Sequence, residues 1–127
     1  MTSLRHALLV GAGGMLGSLL RYWVGSAVQA RLSPAFPYGT LSVNLIGCAA
    51  IGALAAWMSA RETPPTELRL FAVVGILGGF TTFSAFGWET FALLREGSLQ
   101  RAFANVALQL VLGLAAVWAG YTALSRT

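Results

Sequence analysis

The chain has no aspartate and no lysine, one histidine and one cysteine, and only 9% of its 127 residues are charged. A soluble domain carries roughly 25% charged residues. With His6 as the sole histidine, a nucleophile with a matching base is missing, which argues against an enzyme. Cys48 stands alone and cannot form an internal disulfide. The eight arginines outnumber the four glutamates but form no basic patch, so they indicate contact with lipid headgroups and no nucleic acid partner.

What the chain has in abundance is long apolar runs. Hydrophobic residues make up 57% of the sequence and the mean hydropathy is +0.73. A membrane-crossing helix needs about 20 residues, and such runs lie at about 6–29, 40–59, 70–94 and 100–124. They predict an all-α, multi-pass membrane protein, with residues 1–127 as a single four-helix transmembrane domain. The first run is expected to be retained rather than cleaved as a signal peptide, because it contains Arg21 and three more runs follow.

The basic residues are almost evenly divided between the two ends of the four predicted helices. One side carries Arg5, Arg61, Arg69 and Arg126, and the other carries Arg31, Arg95 and Arg101. An excess of basic residues normally fixes the cytoplasmic side, so this near balance raises the hypothesis of dual topology, with copies inserted both ways and paired antiparallel. The alternative is that another factor fixes the orientation.

Four helices leave little room for a pathway inside one subunit, because small bundles fill their centres with side chains. An oligomer is therefore expected. Gly13 with Gly17 and Gly75 with Gly79 are small residues four apart, a spacing that lets membrane helices approach closely. These contacts could lie within a subunit or between subunits.

The third run contains poor helix formers in the stretch GGFTTFSAFGWE, residues 78–89. Gly78 and Gly79, followed by the β-branched Thr81 and Thr82, favour local unwinding. Unwound backbone in a membrane is tolerated only where protein, water or an ion satisfies its polar groups. The sequence thus predicts a broken third helix, whose free carbonyl oxygens suit a small cation such as Na⁺.

Candidate ion-contacting residues surround this predicted break. Phe83 and Phe86 share a helix face, and the electron-poor edges of their rings can meet an anion. Thr82, Ser84 and Asn44 supply neutral hydrogen-bond donors nearby. The ordinary alternatives are that the rings only pack and that Asn44 only joins helices.

Two ionisable residues, Arg21 and Glu89, lie within predicted helices, at a cost of about 2.5–3.5 kcal/mol or more at membrane depth. Arg21 either reaches the interface with its long side chain or lines a vestibule. For Glu89, pairing with a basic residue or hydrogen bonding to a neighbouring helix is favoured over a proton relay. Asn105 and Gln109, four residues apart, form a polar stripe that either lines the same path or joins helices.

Three motifs together carry a family resemblance. They are GAGGMLGSLLRY in the first run, Val43-Asn44 with Gly47 in the second, and GGFTTFSAF followed by Glu89 in the third. With them the chain resembles the Fluc (CrcB) family of bacterial fluoride channels over essentially its whole length. The resemblance implies an antiparallel, dual-topology homodimer in the bacterial inner membrane. It also implies two pores that conduct fluoride passively and so lower cytoplasmic fluoride.

Residue matching to that family assigns further roles, all of them implied by the resemblance. The pore residues would be Phe83, Phe86 and Asn44, with Thr82 and Ser84 as neutral donors, Arg21 at a vestibule or interface, and the carbonyls of Gly78 and Thr81 holding a central Na⁺. The chain departs from the family at Ala85, where a threonine is common. It also departs at Asn105 and Gln109, where many relatives carry tyrosine and serine. These departures change the set of polar side chains that would line the ion path, to which Glu89 would also belong.

Two other classes remain open on the sequence. A proton-coupled exporter resembling the small multidrug resistance transporters would also have four short spans and dual topology. Those transporters carry a membrane-embedded glutamate in the first span, where this chain has Arg21, and its candidate Glu89 lies in the third. A structural subunit that anchors a larger complex is the other class, but an inert anchor has no reason to carry a weakened central helix.

Overall fold

The computed structural model describes residues 3–125, whose regular structure is entirely helical. Within that range four helices are long and apolar enough to cross a membrane: α1 (Leu4–Arg31), α2 (Tyr38–Ser59), a composite third span (Thr66–Arg95) and α6 (Leu99–Ser125). The prediction of an all-α, multi-pass membrane protein is confirmed. The four spans begin one to four residues before the predicted apolar runs and end no more than two residues after them. Arg126, one of the basic residues used to compare the two sides, lies outside the described residues.

The third span consists of four successive pieces. It begins with α3 (Thr66–Leu68), continues as a π-helical segment (Arg69–Leu77) and α4 (Gly78–Phe80), and resumes after an interruption as α5 (Phe83–Arg95). Segments of π-helix are uncommon and often lie near functional sites.

The interruption lies at Thr81 and Thr82, whose backbones are extended (φ/ψ −87°/158° and −152°/113°). The predicted break in the third helix is therefore confirmed. The glycines were expected to favour unwinding as well. Gly78 instead keeps helical angles of −62° and −37°, and the unwinding occurs at the threonines. Thr82 then caps α5, since its side chain accepts a hydrogen bond from the backbone N–H of Ala85 at 3.1 Å.

The predicted glycine pairs pack against each other within one chain. The α1 helix lies along the π-helical segment and α4. A Cβ placed on Gly13 would lie 3.0 Å from the Cα of Gly75, and one on Gly17 would overlap the carbonyl oxygen of Ile76. These glycines therefore allow α1 and the first half of the third span to approach closely, which resolves the open alternative in favour of contact within the subunit.

The α2 and α6 helices form the other closely packed pair. A Cβ on Gly52 would overlap the carbonyl oxygen of Val117, and one on Gly120 would overlap that of Ala49. These two contacts, within one helical turn of each other on both helices, fix α6 against α2. The α5 helix packs on α6, so the residues after the break are positioned by the α2–α6 pair.

An ion pair joins the first turns of two membrane spans. Arg5 Nη2 lies 2.8 Å from Glu67 Oε1, which places the start of α1 and the start of the third span at the same end of the bundle. This is the arrangement on which the comparison of basic residues relied. Both side chains are largely exposed, so the pair contributes little stability.

Candidate functional site

Asn44 of α2 pairs with the interrupted backbone of the third span. Its Oδ1 accepts a hydrogen bond from the Thr82 N–H at 2.9 Å, and its Nδ2 donates to the Thr82 carbonyl at 3.1 Å. In an unbroken helix that N–H would bond to the carbonyl of Gly78, four residues earlier. A single side-chain amide thus takes over both polar groups of one unwound residue, as exposed backbone in a membrane requires.

The same amide also contacts α6. Asn44 Nδ2 donates to Gln109 Oε1 at 3.1 Å. A side-chain amide nitrogen carries two hydrogens, and both hydrogens of Asn44 are therefore engaged by Thr82 and Gln109. The structure brings Gln109 to the break and gives Asn44 the helix-joining contacts that were one of its two predicted roles.

A cavity of about 410 Å³ opens beside the break. Its wall includes Asn44, Thr82, Gln109 and the two predicted phenylalanines. The rings of Phe83 and Phe86 are 5.4 Å apart between centroids and inclined by 59°, within the usual geometry of an aromatic pair. Phe83 is 80% exposed, so its ring contributes little to the packing of this single chain.

Hydroxyl groups border the start of α5. The Thr82 and Ser84 hydroxyl oxygens lie 3.3 Å apart, and either can donate to the other. Ser84 is exposed. The neutral donors predicted around the break are thus brought together at one helix N-terminus, where backbone N–H groups also favour negative charge.

A second cavity, of about 520 Å³, lies on another side of the break, and Thr82 lines both cavities. Arg21 is half-buried in its wall, and Arg21 Nη1 lies 3.4 Å from the Thr81 carbonyl oxygen. The guanidinium therefore reaches toward the break instead of extending to the membrane surface, which favours the vestibule position among the two predicted.

Glu89 lines the same second cavity. Thr40 Oγ1 donates to Glu89 Oε1 at 2.6 Å, while Glu89 Oε2 is buried and has no hydrogen-bond partner among residues 3–125. Glu89 is thus hydrogen-bonded to a neighbouring helix. Sequence reasoning missed Thr40, although its position four residues before Asn44 places both on one face of α2.

Asn105 makes its contacts in a different place from Gln109. It is fully buried, and its Nδ2 donates to Thr90 Oγ1 at 2.9 Å. The Thr90 hydroxyl donates in turn to the Phe86 carbonyl at 2.8 Å. Asn105 therefore joins α6 to α5, and the predicted stripe divides into one residue at the break and one in the helix interface.

The carbonyls of Gly78 and Thr81 can be tested as ligands for a small cation. The Gly78 carbonyl has lost its helical donor, because the Thr82 N–H bonds to Asn44. Arg21 Nη1 approaches the Thr81 carbonyl oxygen at a long 3.4 Å. Residues 3–125 contain no cluster of three acidic, histidine or cysteine side chains suited to a metal. Hard cations take about six oxygen ligands or more, so the two carbonyls of one chain supply at most about a third of such a site.

Four membrane-crossing helices, the third of them broken beside neutral polar groups, aromatic rings and an arginine, define a small multi-pass membrane protein. A family model described as "CrcB-like protein, Camphor Resistance (CrcB)" matches residues 8–121. The chain therefore belongs to the CrcB family, as the three sequence motifs predicted.

Individual relatives agree with this assignment, and each is named "Fluoride-specific ion channel FluC". The relative from Solibacter usitatus (strain Ellin6076) is 49% identical over 113 residues, which are 89% of this chain and 93% of the relative. The one from Gloeobacter violaceus (strain ATCC 29082 / PCC 7421) is 48% identical over 120 residues, 94% and 95% of the two chains. That from Rhizobium meliloti (strain 1021) is 46% identical over 117 residues, 92% and 94%.

Proposed function

We propose that this chain is a fluoride-specific ion channel, which lets fluoride leave the cytoplasm passively across a bacterial inner membrane. The observation that carries the proposal is the break at Thr81 and Thr82, bordered by Phe83 and Phe86, in a chain of the CrcB family. The prediction that the chain is not an enzyme is confirmed by the family, whose relatives are named ion channels. The alternative of a proton-coupled exporter is not supported by that membership.

The chemistry of the break suits a small, strongly hydrated anion. Hydroxyl groups of Thr82 and Ser84 and the edges of the two phenylalanine rings can replace hydrating water without a full positive charge. Neutral donors bind an ion firmly enough for it to enter and weakly enough for it to leave, as conduction requires. Arg21 raises the positive potential at one mouth of the path and so concentrates anions there.

The path is completed by a second copy of the chain. The cavity beside the two phenylalanines opens at the surface of the single chain, and Phe83 is 80% exposed. An ion there would face lipid, in which it is unstable, so another protein surface must cover it. The near balance of arginines at the two ends supports an antiparallel homodimer, with lipid around it.

The same pairing supports a Na⁺ ion between the two copies. Gly78 and Thr81 of each chain would hold it through their carbonyl oxygens, so that the two chains together supply four ligands. The ion would neutralise the partial negative charge of these carbonyls and so hold the two breaks together. The chain's own Asn44 meanwhile fixes the direction of the backbone at Thr82.

The proposal is tested with the full chain reconstituted into liposomes that are loaded with fluoride and chloride salts. Ion-selective electrodes follow both anions outside the liposomes, with equal pH on both sides. We expect rapid fluoride release, little chloride release, and none of either from protein-free liposomes. Fluoride release that requires a proton gradient would contradict a channel and favour exchange. For dual topology, a reporter fused to the C-terminus is expected on both membrane faces, and its restriction to one face would contradict it.

A further inference from the structure

An apolar cavity of about 190 Å³ lies at one end of the bundle and shares no lining residue with the two cavities at the break. Its wall consists of Ala53, Leu54 and Trp57 of α2, Leu68 of the third span and Leu124 of α6. Leu68 and Leu124 are 38% and 41% exposed, so the cavity opens at the surface of the chain. In a membrane, an apolar opening of this kind meets lipid acyl chains.

The cavity lies at the depth where acyl chains meet lipid headgroups. Trp57 is in the last turn of α2, which ends at Ser59, while Leu68 is in the first turn of the third span and Leu124 is in the last turn of α6. Tryptophan is enriched at this depth, because its ring is apolar and its N–H is polar. A lipid whose chain entered the cavity would therefore keep its headgroup beside these helix ends.

A guanidinium group is fixed directly beside the cavity wall. The Arg61 Cζ atom lies 3.2 Å from the centre of the Trp57 ring, and Arg61 Nη1 donates to the Trp57 carbonyl at 2.8 Å. The residue that forms the wall thus also holds the charge in place. A guanidinium carries five N–H donors, and within residues 3–125 no carboxylate forms an ion pair with Arg61. Its remaining donors can therefore serve an anion from outside the chain.

Charge decides between a lipid and a second protein chain as the occupant. In an antiparallel pair, the partner's end at this membrane face would carry three arginines and one glutamate, Arg31, Arg95, Arg101 and Glu96. That end has a net positive charge and would repel Arg61. A phospholipid phosphate instead supplies the negative charge that a guanidinium binds with two parallel hydrogen bonds, and its acyl chain matches the apolar wall.

We propose that Arg61 and this cavity form a binding site for one anionic phospholipid, of which phosphatidylglycerol is the simplest example. The lipid phosphate accepts hydrogen bonds from the Arg61 guanidinium, and one acyl chain fills the cavity between Trp57, Leu68 and Leu124. Charge and shape together hold the lipid at one place, which distinguishes this site from the general attraction of arginines to headgroups. The site is separate from the break and does not depend on which ion the chain conducts.

The test counts the lipids that remain bound to the full chain in native mass spectrometry. Delipidated protein in detergent is titrated with an equal mixture of phosphatidylglycerol and phosphatidylcholine that have the same acyl chains. Arg61→Gln removes the charge, and Ala53→Leu fills the cavity without changing the charge. Arg31→Gln is the matched control, because Arg31 is also exposed and donates to the carbonyl four residues earlier, that of Ala27, at 3.0 Å. Size-exclusion chromatography first confirms normal assembly of each variant.

We expect the first lipid bound by the unmodified chain to be phosphatidylglycerol, with a preference of about fivefold or more over phosphatidylcholine, the range for one arginine at a lipid phosphate. Arg61→Gln should lose this preference and Arg31→Gln should keep it. Ala53→Leu should weaken phosphatidylglycerol binding by about tenfold or more, because it excludes several methylene groups of the acyl chain.

Three results would overturn the proposal. The first is an unmodified chain that binds both lipids equally, and the second is an Arg31→Gln loss as large as that of Arg61→Gln. The third is full competition by glycerol phosphate, which has no acyl chain, because it would assign Arg61 to free phosphate. Arg61→Gln is an exposed change, so these comparisons remain decisive even if Ala53→Leu fails to assemble.

Discussion

Replacing Asn44 by alanine tests how the break in the third span is held. The substitution removes three hydrogen bonds, two to the Thr82 backbone and one to Gln109, at 2.9–3.1 Å. It leaves the Thr82 backbone N–H without its acceptor at a depth where water is scarce. We expect a loss of stability and a loosened break, with little effect on the contact between α1 and the first half of the third span, which Asn44 does not touch.

The size of the expected stability loss follows from the number of hydrogen bonds that are removed. A hydrogen bond contributes about 1 kcal/mol in a soluble protein and about 0.6 kcal/mol on average between membrane helices. Three bonds thus predict a loss of about 2–3 kcal/mol for Asn44→Ala. The matched control is Asn105→Ala, which removes the same atoms but only one hydrogen bond, to Thr90. Its loss through hydrogen bonding is expected to be about 0.6–1 kcal/mol.

The assay is reversible unfolding in mixed micelles, combined with hydrogen exchange at the Thr82 amide. Asn105 is completely buried, so truncation leaves at least as large a cavity there as at Asn44, and the control is a strict one. An Asn44→Ala loss no larger than that of Asn105→Ala, with unchanged exchange at Thr82, would refute the reasoning. Asn44→Asp retains the acceptor for the Thr82 N–H but adds a negative charge, so we expect fluoride flux to collapse.

Two further predictions concern rings and glycines. Replacing Phe83 or Phe86 by isoleucine should preserve assembly and lower fluoride flux by about twofold to tenfold, since an aromatic contact contributes about 0.5–1.5 kcal/mol; unchanged flux in both variants would show that the rings only pack. Gly17→Ala should destabilise the protein by about 1–3 kcal/mol through overlap with the third span. Gly11→Ala is the control, because nothing lies within 4 Å of its added Cβ, and it should be neutral or stabilising by up to about 1 kcal/mol. Equal effects of Gly17→Ala and Gly11→Ala on thermal unfolding would contradict the packing account.

The four spans and the broken helix could be predicted from the sequence because both depend on local composition. Runs of about 20 apolar residues predict membrane helices by length alone. Thr81 and Thr82 are poor helix formers, so they predict a weak point in the third helix without any knowledge of the contacts that the helix makes. The precise role of Gly79 was not predictable in the same way, because its added Cβ would overlap the Gly14 carbonyl on another helix. A glycine required for close packing and one required for unwinding look alike in a sequence.

The contacts of the candidate site depend on residues far apart along the chain. Asn44 meets Gln109 across 65 positions, and Thr40 meets Glu89 across 49. Periodicity places each residue on a helix face, but it does not say which faces meet. The sequence therefore predicted polar residues near the path, and the packing of α2 against α6 decided that Gln109 reaches the break while Asn105 does not.

The central claim is that the break in the third span supports a conductive path selective for fluoride. Its most direct test is the reversal potential of currents through the full chain in a planar bilayer, with a tenfold fluoride gradient and equal chloride on both sides. A tenfold gradient corresponds to about 60 mV for a monovalent ion. We predict reversal near that fluoride potential. Reversal near zero, or no current that depends on fluoride, would contradict the claim.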